Sequence, residues 1–471
     1  MQAVTLLIGI VGSVAVFLVA PVYGLVVFLV SCAWWPRYLT IQVGTIDFTA
    51  PKIIVLAIFA KLFMQTNLPH RFKFVALDKL VIAYFTAEIV AGAITTPTLM
   101  AFLENRAGAI FDMVLPYFAV RLIIRERRQY LILLKAIMII AVPLAVLGFY
   151  ESLTGNNLVG FLKQYHAWRE GVVYTPTPRF GFFRACVTFP ISITFGLFFA
   201  MFGPVCAGVL HNAKKYKALY WIALGLMVLG CFSSVSSGAV LAGLVSVTFL
   251  ALYRWRRYWK PAVIVIVVMC VVVEVASDRH FWDVLGDFTF NPQTAWYRSR
   301  LIEVALFEGG MSGHWLAGHG PSVDPGWHAQ IDRRSYTDLC NHYLLILSFY
   351  GVVALLIFIA MNVAAAKRLI KAYAASTSAL DRWLIWCLSG GLFGLAVGCA
   401  TVSLFGQPST FYHMLLGFAG VMPTIVATGG AGAKEVLRRK LERRRHAQGR
   451  DLAQAQLVGA GKENSASWAD R

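Results

Sequence analysis

The sequence predicts an all-α polytopic membrane protein with 12 or 13 transmembrane helices and a large periplasmic loop before the third-last helix. Of its 471 residues, 58% are hydrophobic and only 14% are charged, and the mean hydropathy is +0.67. Apolar runs of about 17–25 residues, the length that crosses a bilayer as a helix, recur along most of the chain. Because lipid offers backbone amides no partner, such runs indicate helices that satisfy their own hydrogen bonds.

The apolar segments follow one another almost to the C-terminal tail. Pro21 stands between the first two segments, where it either separates two short helices or kinks one long tilted helix. The total is therefore 12 or 13. The segments cover residues 4–20, 22–35, 51–65, 77–97, 108–123, 130–149, 185–209, 218–232, 236–254, 261–277, 342–363, 382–402 and 408–428.

Short basic loops predict the orientation, because Lys and Arg are retained on the cytoplasmic side during insertion. When the segments alternate, these loops and the C-terminal tail all fall on the cytoplasmic side. Topology thus accounts for the net charge of +19, and nucleic acid is not an expected partner. Membrane lipids are expected, since the basic tail favours anionic headgroups. The loops are RERR at 125–128, KKYK at 214–217, RWRRYWK at 254–260 and KRLIK at 367–371.

This topology divides the chain into four parts. Residues 1–277 are an N-terminal transmembrane bundle, which includes a periplasmic loop at 150–184. Residues 278–341 are the large periplasmic loop, and residues 342–433 contain the C-terminal transmembrane helices. Residues 434–471 are a basic cytoplasmic tail that we expect to be partly disordered.

The loop 278–341 is the first place to look for a functional site. Loops longer than about 15 residues between helices are usually functional or disordered, and four tryptophans indicate that this one is packed. The loop and the residue that follows it hold five of the ten histidines, at positions 280, 314, 319, 328 and 342. These histidines lack the tight spacing of a zinc site, so no metal ion is expected.

Several motifs follow one another in and after this loop. Arg300 opens a polar stretch, Gly318-His319-Gly320 has the form of a glycine turn, Asn341-His342-Tyr343-Leu344 begins the next membrane segment, and Gly351 follows about two helical turns later. In their order and in their placement relative to the membrane, these residues resemble the signature region of the O-antigen ligase and polysaccharide polymerase superfamily.

Upstream segments extend the resemblance, which covers roughly residues 40–430. They are similar to the exopolysaccharide-polymerase-like branch of the superfamily. The chain also departs from the family pattern, since Cys340 stands where a histidine is usual, Val304 replaces a common Trp, and Ser237 stands where many members have Arg. The upstream segments are FDMVLPYFAVRLIIRERRQ, GFYESLTGNN, RFGFFRACVTFPISITFG and SSVSSGAVLAG.

The resemblance implies a glycosyltransferase of the bacterial inner membrane. Members of the family move a saccharide from undecaprenyl diphosphate to an acceptor hydroxyl at the periplasmic face, without a nucleotide sugar. No metal ion or other cofactor is expected for this chain. The reaction expected here is polymerisation of an exopolysaccharide or O-antigen, with a chain-length regulator as a further partner. One alternative is an O-antigen ligase, whose acceptor is lipid A-core. An alternative from another class is a lipid-linked oligosaccharide flippase or another transporter.

Four arginines are candidates for binding the diphosphate, because a planar guanidinium donates paired bonds to phosphate and stays charged. All four lie on the side that the positive-inside bias disfavours. The alternative is that they reach lipid headgroups or pair with Glu303 or Glu308. The candidates are Arg179, Arg184, Arg298 and Arg300.

Two histidines are candidates for the catalytic base, namely His342 and His319. If Asp338 caps the helix, His342 lies one turn later on the same face, where the carboxylate could orient its ring. Asn341 is expected to position groups, since an amide has no useful pKa. The sequence leaves open whether His342 or His319 replaces the histidine expected at Cys340, and each also has an ordinary structural interpretation.

Overall fold

The structure is a computed structural model that describes residues 1–43, 46–65, 72–165, 178–212, 216–276, 280, 292–332 and 335–428. It is mostly helical, with two short two-stranded hairpins. The predicted basic tail, residues 434–471, lies outside the described residues.

The described residues in the first third of the chain form seven helices and one hairpin. The strands β1 (Ile41–Val43) and β2 (Ile46–Phe48) pair antiparallel, with Ile41 opposite Phe48. A π-helical turn, Ile110–Val114, joins the fifth and sixth helices. The helices are α1 (Gln2–Leu18), α2 (Pro21–Trp34), α3 (Ala50–Met64), α4 (Ala76–Thr95), α5 (Leu99–Ala109), α6 (Leu115–Ile123) and α7 (Arg127–Thr154).

The rest of the described chain adds nine helices and a second hairpin of β3 (Pro178–Arg179) and β4 (Phe182–Phe183). Turns of 3₁₀-helix lie at Gly160–Tyr165, Ala207–Asn212 and Leu252–Tyr258. The helices are α8 (Ser192–Cys206), α9 (Lys217–Ser233), α10 (Ser237–Ala251), α11 (Trp259–Ala276), α12 (Pro292–Leu306), α13 (His328–Ile331), α14 (His342–Ala375), α15 (Ala379–Gly398) and α16 (Gln407–Thr428).

Pro21 separates two helices and does not merely kink one. Val19 and Ala20 before it are extended, because the proline ring clashes with a helical conformation of the residue that precedes it. The Lys61 ammonium on α3 donates to the Val16 carbonyl at 2.9 Å. A cation at this position satisfies carbonyls that the end of α1 leaves unpaired.

Six helices in the described part of the chain are long and apolar enough to cross a membrane. This agrees with the membrane class that the composition predicts. Three shorter apolar helices accompany them, at Gln2–Leu18, Pro21–Trp34 and Lys217–Ser233. The six are Arg127–Thr154, Ser192–His211, Ser237–Tyr258, His342–Ala375, Ala379–Gly398 and Gln407–Thr428.

Two buried ion pairs join helices within the bundle. Asp78 on α4 accepts from Arg121 of α6 at 2.7 Å and from the Tyr117 hydroxyl at 2.6 Å. Glu88 on α4 accepts from Arg106 of α5 at 3.1 Å. Removing one partner of a buried pair leaves an uncompensated charge and costs about 3–5 kcal/mol. These pairs therefore hold α4, α5 and α6 in a defined arrangement.

Candidate functional site

The helix α14 is interrupted at Gly351, whose φ of 78° and ψ of −179° are not helical. In an unbroken α-helix the Val352 N–H would donate to the Ser348 carbonyl, four residues earlier. Here the Val352 N–H donates to the Trp315 carbonyl at 2.8 Å, and the Ser348 carbonyl accepts from the His319 N–H at 2.6 Å. The loop before α14 thus supplies partners for both groups that the break exposes.

The glycines on both sides of this junction allow the loop to reach the helix. A Cβ atom on Gly351 would lie 2.0 Å from the Leu316 carbonyl oxygen, and one on Gly318 would lie 2.5 Å from the Phe349 carbonyl carbon. Gly318 also has a left-handed φ of 73°, and Gly320 one of 96°. The glycine turn and the later glycine, two separate motifs in the sequence, are therefore two halves of one backbone junction.

The corner between α4 and α5 supports the junction from the side. Arg106 donates to the Tyr350 hydroxyl at 3.0 Å while its other terminal nitrogen binds Glu88. The next residue back, Asn105, donates to the Ser322 hydroxyl at 3.3 Å. The helix break and the loop are thus both held by the same short helix.

The His319 side chain lies in this junction, half-buried. Its ring is nearly parallel to that of His314, with centroids 4.0 Å apart, and is edge-on to the Trp327 ring, with centroids 5.9 Å apart. Burial and then the neighbouring His314 lower the pKa of His319 below its ordinary value. At neutral pH the imidazole is therefore mainly uncharged and has a lone pair that can accept a proton.

His342, the other candidate base, lies inside the bundle. Only 8% of the residue is exposed, its backbone N–H donates to the Cys399 carbonyl at 2.7 Å, and its ring nitrogen Nδ1 accepts from the Leu404 N–H at 3.4 Å. The ring stands edge-on to Phe358, with centroids 5.2 Å apart. His342 thus joins α14 to the segment between α15 and α16.

Asp338 does not cap α14. The sequence suggested that an Asp338 cap would orient the His342 ring, and this arrangement is not present. The cap is Asn341, whose side-chain oxygen accepts from the N–H groups of Tyr343 and Leu344 at 3.0 and 3.2 Å. The chain before it is not helical, and the Asp338 N–H donates to the Tyr297 hydroxyl. The Asp338 carboxylate is exposed, and within the described residues no hydrogen bond joins it to His342.

Arg300 is engaged by two carboxylates of its own loop. It donates to Glu303 at 2.8 Å, and its second terminal nitrogen donates to Glu308 at 2.8 Å. This is the pairing that the sequence leaves as the alternative to diphosphate binding. A diphosphate that binds Arg300 has to displace Glu308 from the guanidinium.

Arg298, two residues before Arg300 and therefore about 200° around α12 from it, faces the Cys340 thiol. Its Nε atom is buried and has no hydrogen-bond partner among the described residues. Burial raises the pKa of Cys340 to about 11, although Arg298 acts in the opposite direction. The thiol is therefore protonated at neutral pH, and it cannot act there as the base that the family's histidine would supply.

Arg179 and Arg184 belong to a different unit. Arg179 is in β3 and Arg184 directly follows β4. The next residue, Ala185, donates its N–H to the Ser233 carbonyl at 3.0 Å, which attaches this hairpin to the end of α9. The four arginine candidates thus divide into one pair on α12 and one pair on the hairpin.

An open cleft of about 410 Å³ lies beside the helix break. Asp324 shapes one wall, since its carboxylate accepts from the Thr337 N–H at 2.7 Å and from the Thr337 hydroxyl at 2.8 Å. Tyr336 and Phe405 are 57% and 50% exposed. The sequence did not indicate this cleft, because its walls come from segments about 80 residues apart. They include Asp324, Tyr336, Thr337, Asp338, Phe349 and Phe405.

Among the described residues, no group of three or more His, Cys, Asp or Glu side chains is positioned to hold a metal ion. Compared with known proteins, the chain matches no family model and no curated protein.

Proposed function

We propose that this protein is a glycan transferase of the bacterial inner membrane, which moves a saccharide from undecaprenyl diphosphate to an acceptor hydroxyl at the periplasmic face. The observation that carries the proposal is the docking of the Gly318-His319-Gly320 turn onto the break in α14. It places the imidazole of His319 in that junction, and Phe349 of the junction lines the open cleft. The glycine turn and Gly351, two motifs that resemble the family's signature region, thus meet at one junction. The His319 imidazole there can accept the proton that the reaction releases.

The proposed reaction uses the cleft for the acceptor. The acceptor hydroxyl oxygen attacks the anomeric carbon of the carrier-linked sugar, the bond from that carbon to the diphosphate oxygen breaks, and His319 takes the hydroxyl proton. Arg298, together with Arg300 two residues later on α12, stabilises the charge that develops on the departing diphosphate. Neither a metal ion nor an organic cofactor takes part in this scheme.

The proposed topology has 13 membrane helices, the C-terminus in the cytoplasm and residues 278–341 in the periplasm. It is supported by the separation of α1 from α2, and by the alternation that puts the basic loops on one side. Both the helix break and the cleft then lie at the outer end of the bundle, where the lipid-linked substrate is presented.

Deletion of the gene, followed by analysis of lipid-linked glycan, tests the function. We expect single repeat units to accumulate on the carrier at the periplasmic face, because polymerisation is the step that is lost. Long polymer left on the carrier would instead indicate a ligase, with lipid A-core as the acceptor. Units trapped on the cytoplasmic face would indicate a flippase, and unchanged glycan would contradict all three.

The pairing of Arg300 leads to a second prediction. We expect Arg300→Ala to lower transfer about 100-fold, as loss of one charged donor to a transition state does. Glu308→Gln should retain transfer, because it removes the carboxylate that competes with diphosphate for the same guanidinium. Transfer is measured on purified protein in nanodiscs. If Arg300 serves only to hold the loop together, both variants will lose transfer and thermal stability to the same extent.

A further inference from the structure

A second, smaller cavity lies between α2, α3, the π-helical turn and the start of α16. Its volume is about 20 Å³, whereas one water molecule needs roughly 10–15 Å³. It therefore has room for one group the size of a hydroxyl. Its polar lining includes Trp35, Arg37, Lys52, Asp112, Gln407 and Thr410.

Two polar atoms on this lining have no hydrogen-bond partner among the described residues: the Trp35 indole nitrogen Nε1 and the Gln407 oxygen Oε1. Gln407 is only 5% exposed. Its amide nitrogen donates to the Cys32 carbonyl at 3.5 Å, and this bond sets the orientation of the amide. The wall thus presents one unsatisfied donor and one unsatisfied acceptor, and a buried polar group without a partner costs about 1–3 kcal/mol.

This combination selects the ligand chemistry. A hydroxyl group donates one hydrogen bond and accepts others, so it satisfies both atoms at once. A phosphate or carboxylate anion only accepts, and would leave the Gln407 oxygen unpaired. The basic residues of the lining are already engaged, since Arg37 is paired with Asp112 and Lys52 donates to the Asp47 carbonyl at 2.8 Å.

The ion pair is the more exposed part of the cavity lining. The side chains of Arg37 and Asp112 are 23% and 18% exposed, whereas Gln407 lies deeper. Asp112 is in the π-helical turn Ile110–Val114. Turns of this kind are rare and occur often at functional sites, because the extra residue turns the following side chains to a new face of the helix.

A short segment joins this cavity to the open cleft. Phe405 lines the cleft and Gln407 lines the cavity, and two residues of extended chain span at most about 7 Å. Gly406 between them has a left-handed φ of 67°, and a Cβ atom there would lie 3.1 Å from Arg37. The Leu404 N–H, at the start of the segment, is held by His342.

We infer that this cavity is a specificity subsite, which binds one hydroxyl group of an uncharged saccharide whose ring lies against the Phe405–Gln407 segment. The inference rests on the proposed function for the identity of that saccharide, the acceptor glycan. His342 acts as a positioning residue, since it holds the Leu404 end of the segment that joins the cavity to the cleft.

The test is direct binding to the full-length protein in nanodiscs without any lipid-linked donor. Methyl glycosides of glucose, galactose and mannose, with their deoxy analogues, are titrated and followed by saturation-transfer difference NMR. Gln407→Leu removes the acceptor and Trp35→Phe removes the donor. Trp221→Phe is the matched control, because Trp221 lies on α9, outside the cavity lining, and is 57% exposed.

We expect both cavity variants to bind at least one glycoside about tenfold more weakly than the wild type, as loss of a partner for a buried polar group implies. The control should bind as the wild type does. The deoxy analogue that lacks the cavity-bound hydroxyl should bind the wild type and the two cavity variants equally. This analogue identifies which hydroxyl of the saccharide enters the cavity. A normal melting temperature shows that the variants are folded.

The inference is wrong if no glycoside binds the wild type, or if all three variants bind alike, since the cavity then holds only a water molecule. It is also wrong if affinity falls by the same factor for every deoxy analogue. Gene deletion tests transfer separately. If the cavity variants weaken glycoside binding while gene deletion leaves lipid-linked glycan unchanged, that result would contradict the proposed transferase function and support the saccharide subsite.

Discussion

Replacement of Gly351 by alanine is expected to abolish glycan transfer and to destabilise the protein. The backbone angles of Gly351 belong to a region that only glycine populates readily, and a side chain there costs about 1–3 kcal/mol in strain alone. In addition, the new Cβ atom would lie 2.0 Å from the Leu316 carbonyl oxygen. The loop has to move away, and both hydrogen bonds that replace the missing helical bond are then lost. His319 moves with the loop.

Thermal unfolding in detergent and transfer by the purified protein measure these two effects. Gly225→Ala is the matched control, because Gly225 lies in α9 and a Cβ atom there would meet no neighbouring group within 4 Å. Alanine also favours helix over glycine by about 1 kcal/mol. We expect the control to retain transfer and to melt at the same or a higher temperature. Full transfer by Gly351→Ala would show that the junction is not needed for the reaction.

Replacement of His319 by alanine is expected to lower transfer about 100- to 10,000-fold, the usual contribution of a general base, while the protein remains folded and inserted. His342→Ala is the informative comparison. This substitution removes a buried ring that accepts a hydrogen bond from the Leu404 N–H. We therefore expect it to lower the melting temperature. Its transfer should fall less than that of His319→Ala. The opposite order, with transfer lost only in His342→Ala, would assign the base to the buried histidine.

The pH dependence follows from the same geometry. A base acts in its neutral form, and the pKa of His319 is lowered from its ordinary value of 6.5 by burial and by His314. Transfer should therefore persist below pH 6.5 and fall as the pH drops through the lowered pKa. His314→Ala exposes the ring and removes the like charge, so the acid limb of the profile should move to higher pH. An unchanged profile would contradict the role of the stacked pair.

Local properties of the sequence were sufficient for the membrane class and for the positions of most helices. Apolar length and backbone self-pairing act within a segment, so the 13 apolar runs coincide with helices, within a few residues at most ends. The largest shifts are at 363, where α14 continues to Ala375, at 108, where helical structure already begins at Leu99, and at 185, where α8 begins only at Ser192.

The resemblance to the family's signature region also singled out the glycine turn and Gly351 as motifs. Only the tertiary structure decided what these motifs do. The exchange of hydrogen bonds across the helix break, the stacking of His314 on His319, the burial of His342 and the pairing of Arg300 with Glu308 all depend on chain segments that meet in space. Hydrophobic length is a property of each segment alone, whereas the partner of a polar group is set by how the segments pack.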